Sequence, residues 1–159
     1  MPRQFVRPEW GATSIFRSSP MELSSLSSAV VLFEGAHCTL EISRPAEGVV
    51  LIVIKGRDTG QFGDAPFREL TREIAMGLPF EVFVDASAAP SASIDVSGSW
   101  ARWMIANRDS IQRLNIFCRS RFIEITAKFV RQFTKFGPRM RIYTDAGSFE
   151  SALRAAAFA

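Results

Sequence analysis

Apolar residues first fall into a regular pattern at Val30-Val31-Leu32-Phe33, and then at Cys38, Leu40 and Ile42, where polar neighbours alternate with them as in a half-buried strand. Residues 44–48, Arg-Pro-Ala-Glu-Gly, read as a turn. Val49 to Ile54 is an unbroken apolar run rich in β-branched residues, which suits a strand covered on both faces, and Gly56 ends it. The strands on either side of the turn are expected to pair as a hairpin. The period then lengthens. Phe67, Leu70, Ile74 and Leu78 recur at steps of three and four, which predicts an amphipathic helix with Arg68, Glu69, Arg72 and Glu73 facing water. Asp64 is placed to cap it, Pro66 is tolerated in its first turn, and Gly77 with Pro79 stops it.

Phe80 to Asp85 reads as the next strand, and the small-residue run ASAAPSAS (86–93) as a loop. The stretch SIDVSGSW (93–100) leads into a helix expected at roughly 98–110, carrying Trp100, Trp103, Met104 and Ile111. Leu114 to Cys118 is a core strand. A helix over about 121–136 follows, with Phe122, Ile125, Phe129 and Phe133 along one stripe and Lys128, Arg131, Gln132 and Lys135 on the other. Gly137-Pro138 breaks that helix, Met140 to Tyr143 forms the last strand, and Ser148 can cap an Ala-rich helix ending near Phe158. Alternating strands and helices predict an α/β fold: a mixed β-sheet with right-handed crossovers, covered by about four α-helices.

Residues 1–29 keep no such period. Prolines at 2, 8 and 20 are mixed with seven serines, so the segment reads as an N-terminal arm, partly disordered or docked, ahead of one domain spanning 30–159. Phe5, Trp10, Ile15 and Phe16 are unusually apolar for a free tail. Together with an edge strand at 30–33 they suggest a homodimer in which the arm takes part.

Composition narrows the class. With 159 residues, 47% of them hydrophobic and 14 Phe, the chain can bury a core without a metal or a disulfide. No apolar run reaches the ~20 residues of a membrane span, residues 1–29 lack the apolar centre of a signal peptide, and the two cysteines have no metal-ligand spacing. A cytoplasmic protein without a transmembrane segment is the expectation. The net charge of +3 is modest, but its distribution is uneven. From Arg102 to Arg141, Arg108, Arg113, Arg119, Arg121, Lys128, Arg131, Lys135 and Arg139 face only Asp109 and Glu124. Nucleic acid fits least among anionic partners, for there is no RNP, KH or zinc-finger pattern.

The hairpin, the glycine after the long strand, Asp85 at the end of the next strand and the Asp95-Val96-Ser97-Gly98 segment opening a helix resemble the STAS domain of bacterial anti-sigma-factor antagonists and, more broadly, the SpoIIAA-like fold. The resemblance covers about residues 30–159. RLNIFCRSRFIEITAKFVRQFTKF (113–136) and RMRIYTD (139–145) are closer to the SpoIIAA-like branch labelled STAS/SEC14. In the antagonists the loop reads D-S-[S/T]-G, and its first serine takes phosphate from a partner kinase. Here Val96 holds that position and Ser97 follows it. The resemblance implies a regulatory role in bacterial signalling and a protein partner, kinase-like or of another signalling class.

From the residues themselves, Asp95 or Ser97 is expected to cap the helix, and Gly98 to permit close packing. Ser87, Asp95, Ser97, Ser99 and Trp100 form the candidate partner-binding or phospho-site loop. Lys128, Arg131 and Lys135 form a candidate anion-binding face. Catalysis has little support: His37 is the lone histidine, Cys118 lies in an apolar strand, and neither GxSxG, P-loop nor GxGxxG is present. No catalytic residue, metal or cofactor is expected. The reading is a non-enzymatic regulatory or scaffold protein acting through protein–protein interaction. The alternative, motivated by the SEC14-like branch and the Phe content, is a binder of a small apolar ligand or lipid.

Overall fold

A computed structural model of the protein describes residues 3–7, as a strand, and 30–159. Trp10, Ile15 and Phe16 of the expected dimer arm lie outside the described residues. The elements in chain order are β1 (Arg3–Arg7), β2 (Val30–Glu34), β3 (Cys38–Ala46), β4 (Val49–Gly56), α1 (Ala65–Ala75), β5 (Phe80–Ala88), α2 (Ile94–Ala106), β6 (Ile111–Cys118), α3 (Arg121–Thr134), a 3-10 turn (Gly137–Arg139), β7 (Met140–Tyr143) and α4 (Ala146–Ala157).

The strands form one seven-stranded sheet whose spatial order equals their chain order. β1 to β4 pair antiparallel, and β4 to β7 parallel, so the sheet is mixed as expected. The β3–β4 hairpin turns at Glu47-Gly48, where Gly48 has φ +72°. Because each parallel strand is laid beside the last in the same direction, crossovers of one hand deliver their helices to the same face. Accordingly Ile74 of α1, Trp100 and Trp103 of α2, and Ile123 and Val130 of α3 all pack on the core that contains Leu40, Ile52, Val82, Leu114 and Met140. The opposite face would then be bare. α4 covers it, with Phe149 wedged among Phe83, Phe117 and Tyr143 at centroid distances of 5.4–5.7 Å.

Four local expectations are corrected. Arg3–Arg7 forms a strand that the aperiodic arm did not predict, paired Arg3↔Glu34 through Arg7↔Val30, so the strand at 30–34 is not the sheet's edge. That removes the unpaired edge at β2 as a ground for dimerisation. Glu69 and Glu73 do not face water. Both are buried, because Arg44 from β3 reaches across to them. Leu78 lies beyond the end of α1 and is exposed. The helix expected at 98–110 begins at Ile94 and ends at Ala106, and Ile111 opens β6 instead.

Gly56 closes the ladder between β3 and β4 at a point where only glycine fits. Its φ is +84°, and a Cβ there would stand 2.1 Å from the His37 carbonyl oxygen. That same carbonyl accepts a hydrogen bond from the Arg57 N–H at 2.9 Å.

Candidate functional site

The start of α2 is set by Ser93. Its backbone is extended (φ −69°, ψ 156°), and its hydroxyl accepts a hydrogen bond from the Val96 N–H at 3.2 Å, one of the four amides a helix start leaves unpaired. The Ser93 N–H in turn donates to the Asp58 carbonyl at 3.0 Å, and Asp58 bridges Ala92, which ties this N-terminus to the segment after β4. The expected caps are therefore corrected: neither Asp95 nor Ser97 caps the helix, since both already lie in its first turn. Asp95 is exposed there, where the positive end of the helix dipole favours its charge. Val96 is 7% exposed and anchors the turn in the core.

The structure brings Asp95, Ser97, Ser99 and Trp100 together on the first turns of α2 but leaves Ser87 apart. Ser87 lies on β5 and lines neither of the two hollows beside α2, its N–H donating to the Asp85 carboxylate at 3.0 Å. Ser99 donates to the Asp95 carbonyl at 2.9 Å and accepts from Arg102 at 3.2 Å. Trp100 and Trp103 share Phe67 of α1 as a partner, at centroid distances of 4.8 and 6.1 Å. Both indoles are half-buried and hold α2 against α1.

α3 departs furthest from expectation. Phe122, Ile125, Phe129 and Phe133 do form one stripe, but it faces outward, each residue being 50–61% exposed, and the Phe129 and Phe133 rings lie 4.3 Å apart. The helix contacts the sheet through a second, smaller apolar face of Ile123, Ala127 and Val130. The third face is basic. It carries Lys128, Arg131 and Lys135, with Lys135 in the left-handed conformation (φ +56°) that ends the helix. Lys128 is not without an acidic counterpart: its ammonium donates to Glu124 at 2.5 Å, and that hydrogen bond holds the Glu124 carboxyl below its usual range.

Two hollows flank the first turns of α2. The first, about 110 Å³, lies between α2, α3 and the sheet, among Ile54, Val84, Trp100, Met104, Ile116 and Ile123. It exists because the chain that passes beneath supplies only small side chains, Ala86, Ala89, Ser91 and Ala92, and α3 supplies Ala127. The second, about 150 Å³, is more polar and is bordered by Asp58, Asp64, Asp95 and Ser99. Asp58, Val96 and Trp100 belong to both.

Asp58 was not singled out from the sequence. It is 6% exposed, and burial pushes its carboxyl above the usual range, against the lowering effect of the Gly60 N–H that donates to it at 3.0 Å. The Asp-Thr-Gly turn was the available signal, but nothing in that tripeptide tells that α2 will close over it. Burial, with the Asp58 charge added, lifts the Cys38 thiol to about 11, and burial also lifts that of Cys118, so both stay protonated at neutral pH. His37 is exposed at the β2–β3 turn. Among the described residues no three His, Cys, Asp or Glu side chains converge as a metal would need, and no helix is long and apolar enough to cross a membrane.

No family model and no curated protein matches this chain. Solved structures do. A protein of the DUF3478 family with a SpoIIAA-like fold from Shewanella loihica PV-4 superposes with a TM-score of 0.55 at 14% identity, over 76% of this chain and 97% of its own. An anti-sigma factor antagonist from Mycobacterium paratuberculosis superposes with a TM-score of 0.47 at 14% identity, over 74% and 94%. The fold of this chain is SpoIIAA-like, as the order of its elements suggested.

Proposed function

We propose that this protein is a non-enzymatic regulatory or scaffold module of bacterial signalling, cytoplasmic, acting through contact with a partner protein. The docking surface is the outward stripe of α3, continued onto the first turns of α2. The observation that carries the reading is that stripe: four large apolar side chains at helical spacing left in solvent, where scattered single ones would need no explanation. Ile94 at the start of α2, 86% exposed, is a further large apolar side chain left in solvent. Arg121, Lys128, Arg131 and Lys135 on the same helix call for an occupant with an apolar centre and an acidic edge. A second copy would bring like charges together. The Glu124–Lys128 pair favours placed acidic groups over a uniformly anionic surface. Phosphorylation of Ser97 or Ser99 would add roughly −1.5 to −2 charges beside this surface and alter the docked interface. The non-enzymatic reading rests on the exposed lone His37 and on thiols held protonated by burial.

The test is a full-length chain carrying a photo-crosslinking side chain in place of Phe129, with a second version at Phe158 on α4 as control. The expected result is a discrete protein adduct at position 129 alone, through a peptide with apolar and acidic residues, lost in Phe133→Glu. An adduct that survives Phe133→Glu, or that forms equally at 158, would overturn the reading. Flotation with anionic vesicles that requires Phe129 and Phe133 would replace the protein partner with a membrane surface.

A further inference from the structure

A protein interior is packed so closely that voids larger than a water molecule are few, yet about 110 Å³ stands open between α2, α3 and the sheet. The central strands register it. Val84 on β5 and Ile116 on β6 keep 7% and 8% of their surface accessible, while Val82 and Leu114, the preceding residues on the same face, keep 2% and 0%. The wall is hydrocarbon almost throughout, made by Ile54, Trp100, Met104, Ile116 and Ile123 over a floor of alanines. Asp58 at its border already accepts from the Gly60 N–H at 3.0 Å, and the Thr126 hydroxyl already donates to the Phe122 carbonyl at 2.9 Å. A buried water needs about two to four polar partners, which this wall does not offer. A peptide segment or a second copy of the chain is excluded on the same ground, because either would bring backbone N–H and C=O groups against a surface that cannot pair them. Volume sets the size of what remains. A dry cavity of about 150 Å³ accepts benzene, so this one suits roughly four or five carbons.

We infer that the hollow is a binding site for a neutral hydrocarbon group of that size, enclosed by Trp100, Met104, Ile116 and Ile123. Affinity comes from taking the hydrocarbon out of water and from the dispersion contacts that the wall otherwise lacks. No polar contact inside selects a head group. The occupant is therefore either a free small hydrocarbon or the end of a longer aliphatic chain whose head stays in water. The site lies beneath α3, on the side away from Phe122, Ile125, Phe129 and Phe133, so it goes beyond the docking surface and does not depend on it.

The probe is n-pentane dissolved in buffer, added to the full chain while the isoleucine δ1-methyl signals are followed by NMR, with 1-octanol as a second arm that shares the aliphatic end. Ile54, Ile116 and Ile123 line the hollow, whereas Ile94 and Ile125 are exposed and report adsorption to the surface. The expected result is saturable shifts confined to the first three. Octanol binding as tightly as pentane identifies a chain end, and pentane binding more tightly identifies a free small hydrocarbon. Two variants fill the space from opposite sides, Ala127→Leu from α3 and Ala86→Val from β5. Each is expected to weaken pentane binding at least about tenfold and, because it fills a void, to raise the melting temperature by roughly 3 °C. Their own methyl spectra check that they fold. Shifts that never saturate, shifts as large at Ile94 and Ile125, or an affinity unchanged in both variants would overturn the inference.

Discussion

Arg44 and Glu73 meet across 29 residues of sequence, the guanidinium Nε donating to the Glu73 carboxylate while its Nη2 donates to Glu69 at 3.0 Å. β3 and α1 are locked together by this fork, with Arg72 closing on Glu69 from the same helix at 3.0 Å. The carboxylates are buried and the arginine partly so. Removing the cation would leave two charges in the core edge without their main partner, the costly half of a broken buried pair. Arg44→Ala is expected to lower stability by about 3–5 kcal/mol in urea unfolding. Adding Glu69→Gln and Glu73→Gln to Arg44→Ala is expected to restore part of the loss. A triple variant no better than the single one would mean that the arginine stem, not its charge, matters.

α2 offers a sharper contrast. Ser93→Ala removes the only side-chain cap of that helix and is expected to cost about 1 kcal/mol, while Ser97→Ala is expected to stay within about 0.5 kcal/mol. Thermal unfolding of the two variants side by side decides which serine starts the helix. Equal losses would contradict the cap.

The orientation of α3 can be tested the same way. Phe129→Ala removes a large side chain that is 59% exposed, and should change stability by no more than about 0.5 kcal/mol. Ile123→Ala, though smaller, touches the sheet core and is expected to cost roughly 2 kcal/mol. The reverse ranking in chemical denaturation would turn the helix around.

Gly56→Ala forces a Cβ onto the His37 carbonyl at a left-handed φ. A loss of at least about 2 kcal/mol is expected, with amide exchange accelerated first at the β3–β4 end that holds Arg57. Exchange that stays uniform would argue against local strain.

Asp58 supplies a pH dependence. Its folded carboxyl binds a proton more tightly than the unfolded one, so the stability it contributes is complete below the unfolded value of 3.8 and is lost as pH rises through the folded value. Asp58→Asn removes that loss. The melting temperature of Asp58→Asn relative to the wild type is expected to be higher at pH 7 than at pH 4, and a difference independent of pH would count against the burial of the charge.

Much of the fold is written in local chemistry. The alternation at Cys38, Leu40 and Ile42 and the unbroken run from Val49 to Ile54 define strands whatever surrounds them, because side chains on a strand alternate sides and a doubly covered strand has no polar side. The opening of α2 was legible as a place where serine and aspartate meet a helix, though not which serine would cap it. Tertiary structure decided what period alone cannot. The stripe of Phe122, Ile125, Phe129 and Phe133 and the face of Ile123, Ala127 and Val130 are both apolar faces, and only the position of the sheet selects which is covered. Glu69 and Glu73 read as solvated because their partner lies on another element, and Asp58 drew no reading at all because what closes over it, α2, is tied to it only 35 residues further along, at Ser93. The sequence determined the faces and the breaks. Long-range packing determined which faces meet, since a charge or an apolar stripe acquires its energy from the neighbour that buries it.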